Sequence, residues 1–176
     1  VHVRRGPRGH LVQVAEEPRV PLEELRFERG EGVELERADV IDLHDDVRGI
    51  NASIALIRRT RGGGWPTEPV TEDFNFVDLV WHELEFREGA SFTYAVYDSI
   101  GGYLGCCYLY PMGRRTKLTE ERIDHDVDVS WWVTTEAYER GYYAKLYDAL
   151  TRWVETEFPF GNPYFSNADI PGPEGA

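Results

Sequence analysis

The sequence predicts a single α/β domain, and three observations carry that expectation. The segment 126–158 reads DVDVSWWVTTEAYERGYYAKLYDALTRWVETEF, an alternating strand, a short turn with a glycine and a long amphipathic helix. Two β-rich segments, Phe92–Tyr97 and Tyr103–Tyr110, are joined by Asp98-Ser-Ile-Gly-Gly, a hairpin signal. Apolar residues recur at helical spacing in two places, after Thr71 and after Gly141. A length of 176 residues suits one compact domain.

Each element follows from local chemistry. Gly62–Pro69 (GGGWPTEP) is a loop by composition. Thr71 is placed to cap a helix whose first turn carries Glu72 and Asp73, where acidic groups complement the helix dipole. In that helix Phe74, Val77, Trp81 and Leu84 form one stripe, expected to be buried. Gly105 falls inside the second hairpin strand, which marks a bulge or a close backbone approach. In 126–133, Val127, Val129, Trp131 and Val133 share one face, with Asp126, Asp128, Ser130 and Trp132 on the other. Tyr142, Leu146, Leu150, Trp153 and Val154 then line one face of the last helix. A strand feeding a helix through a tight turn aims unpaired N–H groups and the positive end of the helix dipole at one spot, a ready anion site.

This strand–turn–helix resembles motif A of the GNAT superfamily of N-acetyltransferases, whose pattern is a strand ending in valine followed by Arg/Gln-x-x-Gly-x-Gly/Ala. Here the strand-ending valine is Val133 and the central glycine is Gly141, while Tyr138 and Tyr143 stand at the other two signature positions. The match is therefore one position in three, and Arg140 supplies a positive charge inside the turn. The flanks agree with the family from Val33 onward. Val33–Arg37 and Ala38–Ile50 look like its first strand and helix, with Val40, Ile41, Leu43, Val47 and Ile50 apolar, and LGCCYLYP resembles its third strand. Pro163-Tyr-Phe-Ser-Asn167 looks like its fifth strand and the asparagine that often follows.

The resemblance implies a mixed, mostly antiparallel central sheet flanked by helices, and acetyl-CoA as co-substrate. Trp131, Trp132 and Val133 would present backbone to the pantetheine arm and the developing oxyanion. Tyr138, Glu139, Arg140, Gly141, Tyr142 and Tyr143 would form the pyrophosphate turn. Asp128 and Ser130 are the catalytic candidates, as base or water-positioning group and as a hydroxyl near the reacting centre. A solvated strand face is the plain structural alternative for Asp128. The family's last helix and two strands have no counterpart in the chain, so its usual tyrosine acid cannot be carried over, and an uncovered edge implies a homodimer.

Domain organisation is expected as a flexible extension over 1-24, one GNAT-like domain over 25-170 and a tail over 171-176. A net charge of −13 argues against nucleic acid or an anionic membrane as partner. With only Lys117 and Lys145 as lysines, that charge fits a salt-adapted or high-GC organism more than a substrate. No apolar run approaches a membrane span. Cys106 and Cys107, adjacent in a strand, point to opposite faces, which with no other cysteine favours a reducing cytoplasm. His44, His82 and His125 lack metal-ligand spacing, so no metal is expected. Two function classes stay open. One is an acyl-CoA-dependent N-acyltransferase acting on a small-molecule or protein amine. The other is a non-catalytic module of the same fold that binds acyl-CoA, senses or dimerises. The loop Met112–His125 is expected to shape the acceptor site.

Overall fold

The computed structural model describes residues 43–172 in full, together with the strands β1 (His2–Arg5), β2 (Leu11–Val14) and β3 (Val33–Arg37). The rest of the extension 1-24, Val40, Ile41 and the last four residues of the tail lie outside the described residues. β1 and β2 pair with each other as an antiparallel ribbon. The other elements follow as α1 (Leu43–Thr60), α2 (Glu72–Arg87), β4 (Phe92–Asp98), β5 (Tyr103–Pro111), β6 (Val127–Val133), α3 (Thr135–Glu139), α4 (Tyr142–Glu157) and β7 (Pro163–Phe165).

β3 to β7 form one sheet in sequence order. The first three pairings are antiparallel and β6–β7 is parallel, so the expected mixed, mostly antiparallel sheet is present. One face carries Val96, Leu109, Val129, Trp131 and Val133 against Leu146, Leu150, Trp153 and Val154 of α4. The other carries Ala95, Cys106, Tyr108 and Trp132 against Ile50 and Ile57 of α1. Cys106 and Cys107 thus enter different layers, as alternation requires.

Covering both faces buries all seven residues of β6. Asp128 is therefore not on a solvated face; it is fully buried. The α4 stripe is also shifted from expectation. Tyr143 is buried and Tyr142 only half so, because α4 starts at Tyr142, after the short helix α3 has already formed behind its Thr134 cap.

α2 departs furthest from its expected orientation. Thr71 caps it as anticipated, accepting from the Phe74 N–H at 3.2 Å. Its expected core stripe nevertheless faces outward, with Phe74, Val77, Trp81 and Leu84 at 59, 54, 58 and 42% exposure. The inward face is polar. Asn75 Nδ2 donates to Asp46 Oδ2 of α1 at 2.7 Å, and the His82 ring lies 3.1 Å from the Thr93 hydroxyl of β4. Asp46 also accepts from the Tyr103 hydroxyl at 2.6 Å, so Asn75 ties α2 to a buried polar cluster beneath α1. Leu79 packs against the α1-side core, and Phe86 extends this face into the other layer, edge-on to Phe92 and Tyr94.

Gly105 sits where the β4–β5 register shifts, between Val96 and Tyr97. A Cβ there would stand 2.1 Å from the Trp132 carbonyl oxygen and 2.8 Å from the Val133 Cα. Both neighbours are backbone, so neither can rotate away. Gly105→Ala is expected to destabilise the fold by roughly 3 kcal/mol by forcing β5 and β6 apart. A urea midpoint unchanged from wild type would refute that.

Candidate active site

Parallel strands β6 and β7 stay paired only from Val127/Pro163 to Val129/Phe165 and then diverge. The last backbone-to-backbone bond across the fork runs from the Ser166 N–H to the Val129 carbonyl at 2.9 Å. Strand alternation then points the backbone groups of Trp131 and Val133 at the opened edge. At Trp131 both groups are taken by one side chain. Its N–H donates to Asn167 Oδ1 at 3.1 Å, and its carbonyl accepts from Asn167 Nδ2 at 2.9 Å. Trp132 differs from expectation, since its carbonyl abuts Gly105 on the β5 side. The edge backbone is offered by Val133, while the Trp132 indole is buried and donates to the Tyr108 hydroxyl at 2.9 Å.

Beyond Val133 the chain forms the turn expected to hold a pyrophosphate. The Arg140 and Gly141 N–H groups are used within it, bonding Glu136 and Tyr138 carbonyls at 3.2 and 2.9 Å. The first N–H groups of α4, at Tyr142, Tyr143 and Ala144, have no helical acceptor to reach. Gly141 holds φ +80°, and a Cβ there would meet nothing within 4 Å, so the approach to those groups is open. Tyr143 does not obstruct it. Its ring turns under the sheet against Trp131, 5.2 Å between centroids, and its hydroxyl donates to the Asp169 carbonyl at 2.6 Å while accepting from Asn167 Nδ2 at 2.7 Å. Burial pushes the Tyr143 phenol up to about 12, so it is neutral at physiological pH. Tyr138 packs beside Tyr143, ring centroids 5.6 Å apart, and Glu139 is exposed. Arg140 reaches Asp98 at 3.4 Å and lies over the Tyr142 ring, at the rim of the turn.

On the other side of the fork is a cavity of about 480 Å³. Its walls are Arg61 to Trp65, Tyr110, Arg115, Ser166 and Ala168. Arg115 ties it together: Nη1 donates to Ser166 Oγ at 2.5 Å, and Nη2 to the Arg61 carbonyl at 2.8 Å. Ser166 in turn donates to Asp128 Oδ1, and Asp128 Oδ2 accepts from the Thr116 N–H at 3.1 Å. Asp128 is thus one hydroxyl removed from the cavity, while Ser130 is walled off from it, its Oγ buried without a partner. Sequence reasoning missed Arg61, Arg115 and Ser166. Only Arg115 carried a signal, by lying in the loop singled out as the acceptor loop.

Among the described residues no group of three or more His, Cys, Asp or Glu is placed to hold a metal ion, and no helix is long and apolar enough to cross a membrane. No protein-family description and no curated protein matches the chain. Solved structures similar to this chain include acetyltransferases. One is a ribosomal L7/L12 alpha-N-protein acetyltransferase in complex with coenzyme A, 12% identical with a TM-score of 0.49 over 73% of this chain and 68% of that one. Another, from Salmonella typhimurium, modifies the N-terminal serine of ribosomal protein L7/L12, at 13% identity and a TM-score of 0.47 over 72% and 66%. A spermidine N-acetyltransferase variant from Vibrio cholerae gives 15% and 0.44 over 73% and 64%. This chain therefore spans about two thirds of the length of the structures it matches.

The Tyr143 hydroxyl holds the Asn167 carboxamide across the fork. Tyr143→Phe is expected to cost roughly 1–2 kcal/mol, because the buried Asn167 amide loses the oxygen it donates to. Chemical denaturation checks this, and an unchanged stability would show that the hydroxyl does not brace the fork.

Proposed function

We propose that the protein is an acetyl-CoA-dependent N-acyltransferase acting on a primary amine in a ternary complex. One observation carries the reading: the open Gly141 turn and the Val133 edge lie on one side of the β6–β7 fork, and a cavity lined by Arg61, Arg115 and Ser166 reaches the same fork from the other. The residues fit the coenzyme, because the turn combines unbonded helix N–H groups, open space at Gly141 and the Arg140 guanidinium at its rim. When bound, acetyl-CoA supplies an acyl carbon at which the amine forms a C–N bond as the C–S bond breaks; of the two protons the ammonium gives up, one goes to the departing thiolate and the other leaves through Ser166. The Val133 N–H, held rigid by its strand, is the donor for the oxyanion. Ser166 takes the proton at Oγ while passing its own to Asp128, which gives Asp128 a base role through an intermediary.

A second reading, a coenzyme-binding module without transfer, is favoured by the Asn167 carboxamide, which holds both Trp131 backbone groups that an extended ligand would use. Product formation separates the two. Binding itself is tested by calorimetry with acetyl-CoA. Gly141→Val is expected to weaken it by roughly 2–5 kcal/mol, the loss of one or two charge-assisted bonds to the phosphates. No binding to wild type at millimolar acetyl-CoA, in low and high salt, would overturn both readings.

We also propose that the chain self-associates, through the outward stripe of α2 rather than a strand edge. Phe74, Val77, Trp81 and Leu84 make a helix–helix seam, and a two-fold antiparallel pairing sets Arg87 of one copy beside Glu72 and Asp73 of the other. Light scattering at tens of micromolar should report a dimer that Trp81→Glu converts to monomer; a wild-type monomer would reject the proposal.

A further inference from the structure

The cavity at the fork is cationic in a chain of net charge −13. Two guanidiniums, Arg61 and Arg115, line it, and neither has a carboxylate within ion-pair distance among the described residues. The charge of Asp128 is felt at Arg115 but is separated from it by Ser166. Burial, and then the like charge of Arg61, pull the Arg115 guanidinium below its usual value. Two cations held this close in a half-buried wall repel each other unless an anion joins them.

Arg61 is the less satisfied of the two. Its guanidinium carbon lies over the Tyr108 ring, 4.2 Å from the centroid, and 5.6 Å from that of Trp65. Its Nε is buried without a hydrogen-bond partner. Stacking consumes the face of a guanidinium and leaves its in-plane N–H groups for a planar, two-oxygen acceptor. The glycine loop allows the approach, since a Cβ at Gly63 or Gly64 would meet nothing within 4 Å, whereas Gly62 closes against Ala168 at 2.9 Å.

We propose that this cavity binds a carboxylate through Arg61 and Arg115. Resting on the acyltransferase reading, that makes the acceptor a small amine bearing its own carboxylate, an amino acid or ω-amino acid. The carboxylate seats between the guanidiniums, and the amine turns toward Ser166 Oγ at the mouth of the fork. A polyamine is disfavoured at the same place, because its second ammonium would face two positive charges.

The test compares 5-aminopentanoate with 1,5-diaminopentane, equal in length and differing in one end group. Binding is followed by NMR titration, with acetyl-CoA binding measured separately by calorimetry. Wild type is expected to bind the aminocarboxylate at least tenfold more tightly than the diamine. Arg61→Met, which removes no hydrogen bond of the fold, should weaken the aminocarboxylate tenfold or more and leave acetyl-CoA affinity unchanged. Arg115→Lys, keeping the charge without the fork, should fall between. Equal or tighter binding of the diamine, or an Arg61→Met variant that binds the aminocarboxylate like wild type, overturns the proposal even if acetyl-CoA binds. Aminocarboxylate binding that depends on Arg61, in a protein that ignores acetyl-CoA, upholds the carboxylate site and removes the acyltransferase reading instead.

Discussion

Strand β6 has no solvent-facing side, and that constraint organises the molecule. Its polar groups must therefore look for partners inside the protein, and all but the Ser130 hydroxyl and the Trp131 indole N–H have a route to one. Asp128 is met by the Thr116 N–H and the Ser166 hydroxyl, and the Trp131 backbone by the Asn167 carboxamide. All three partners come from segments flanking the strand, the loop before it and the chain after β7. The fork between β6 and β7 is therefore a small hydrogen-bonded enclosure as well as a gap between strands. Its geometry is set by the same bonds that make burial of β6 tolerable.

The enclosure also divides the labour between its two sides. On the α4 side, the positive φ of Gly141 and the first turn of α4 present backbone donors with open space in front of them. On the α1 side, arginine side chains present charge. Backbone donors are fixed in place and indifferent to pH, whereas side chains are where selectivity between ligands is written.

Much of the fold was legible because its cues were local. Thr71, Gly105 and the facing of Cys106 and Cys107 depend on a few neighbouring residues, and each behaves as its chemistry predicts. The rotation of α2 was not legible, because its inward Asn75 engages Asp46, twenty-nine positions earlier in the chain. An apolar stripe identifies a helix without saying which side of it meets the sheet. Tyr143 failed for a different reason: pattern placed it at a small-residue position without saying which way its ring would turn. Arg61 and Arg115 meet only through Ser166 and the loop carbonyls, so no spacing in the sequence announces them.

The adjacent cysteines have a use that follows from their geometry alone. Both thiols are buried, and burial raises both above the ordinary thiol range, so neither reacts while the sheet is covered. Yet Cys106 lies under α1 and Cys107 under α4. Alkylation kinetics resolved by mass spectrometry would therefore clock the lifting of each helical layer separately, with two reporters one residue apart and no label introduced.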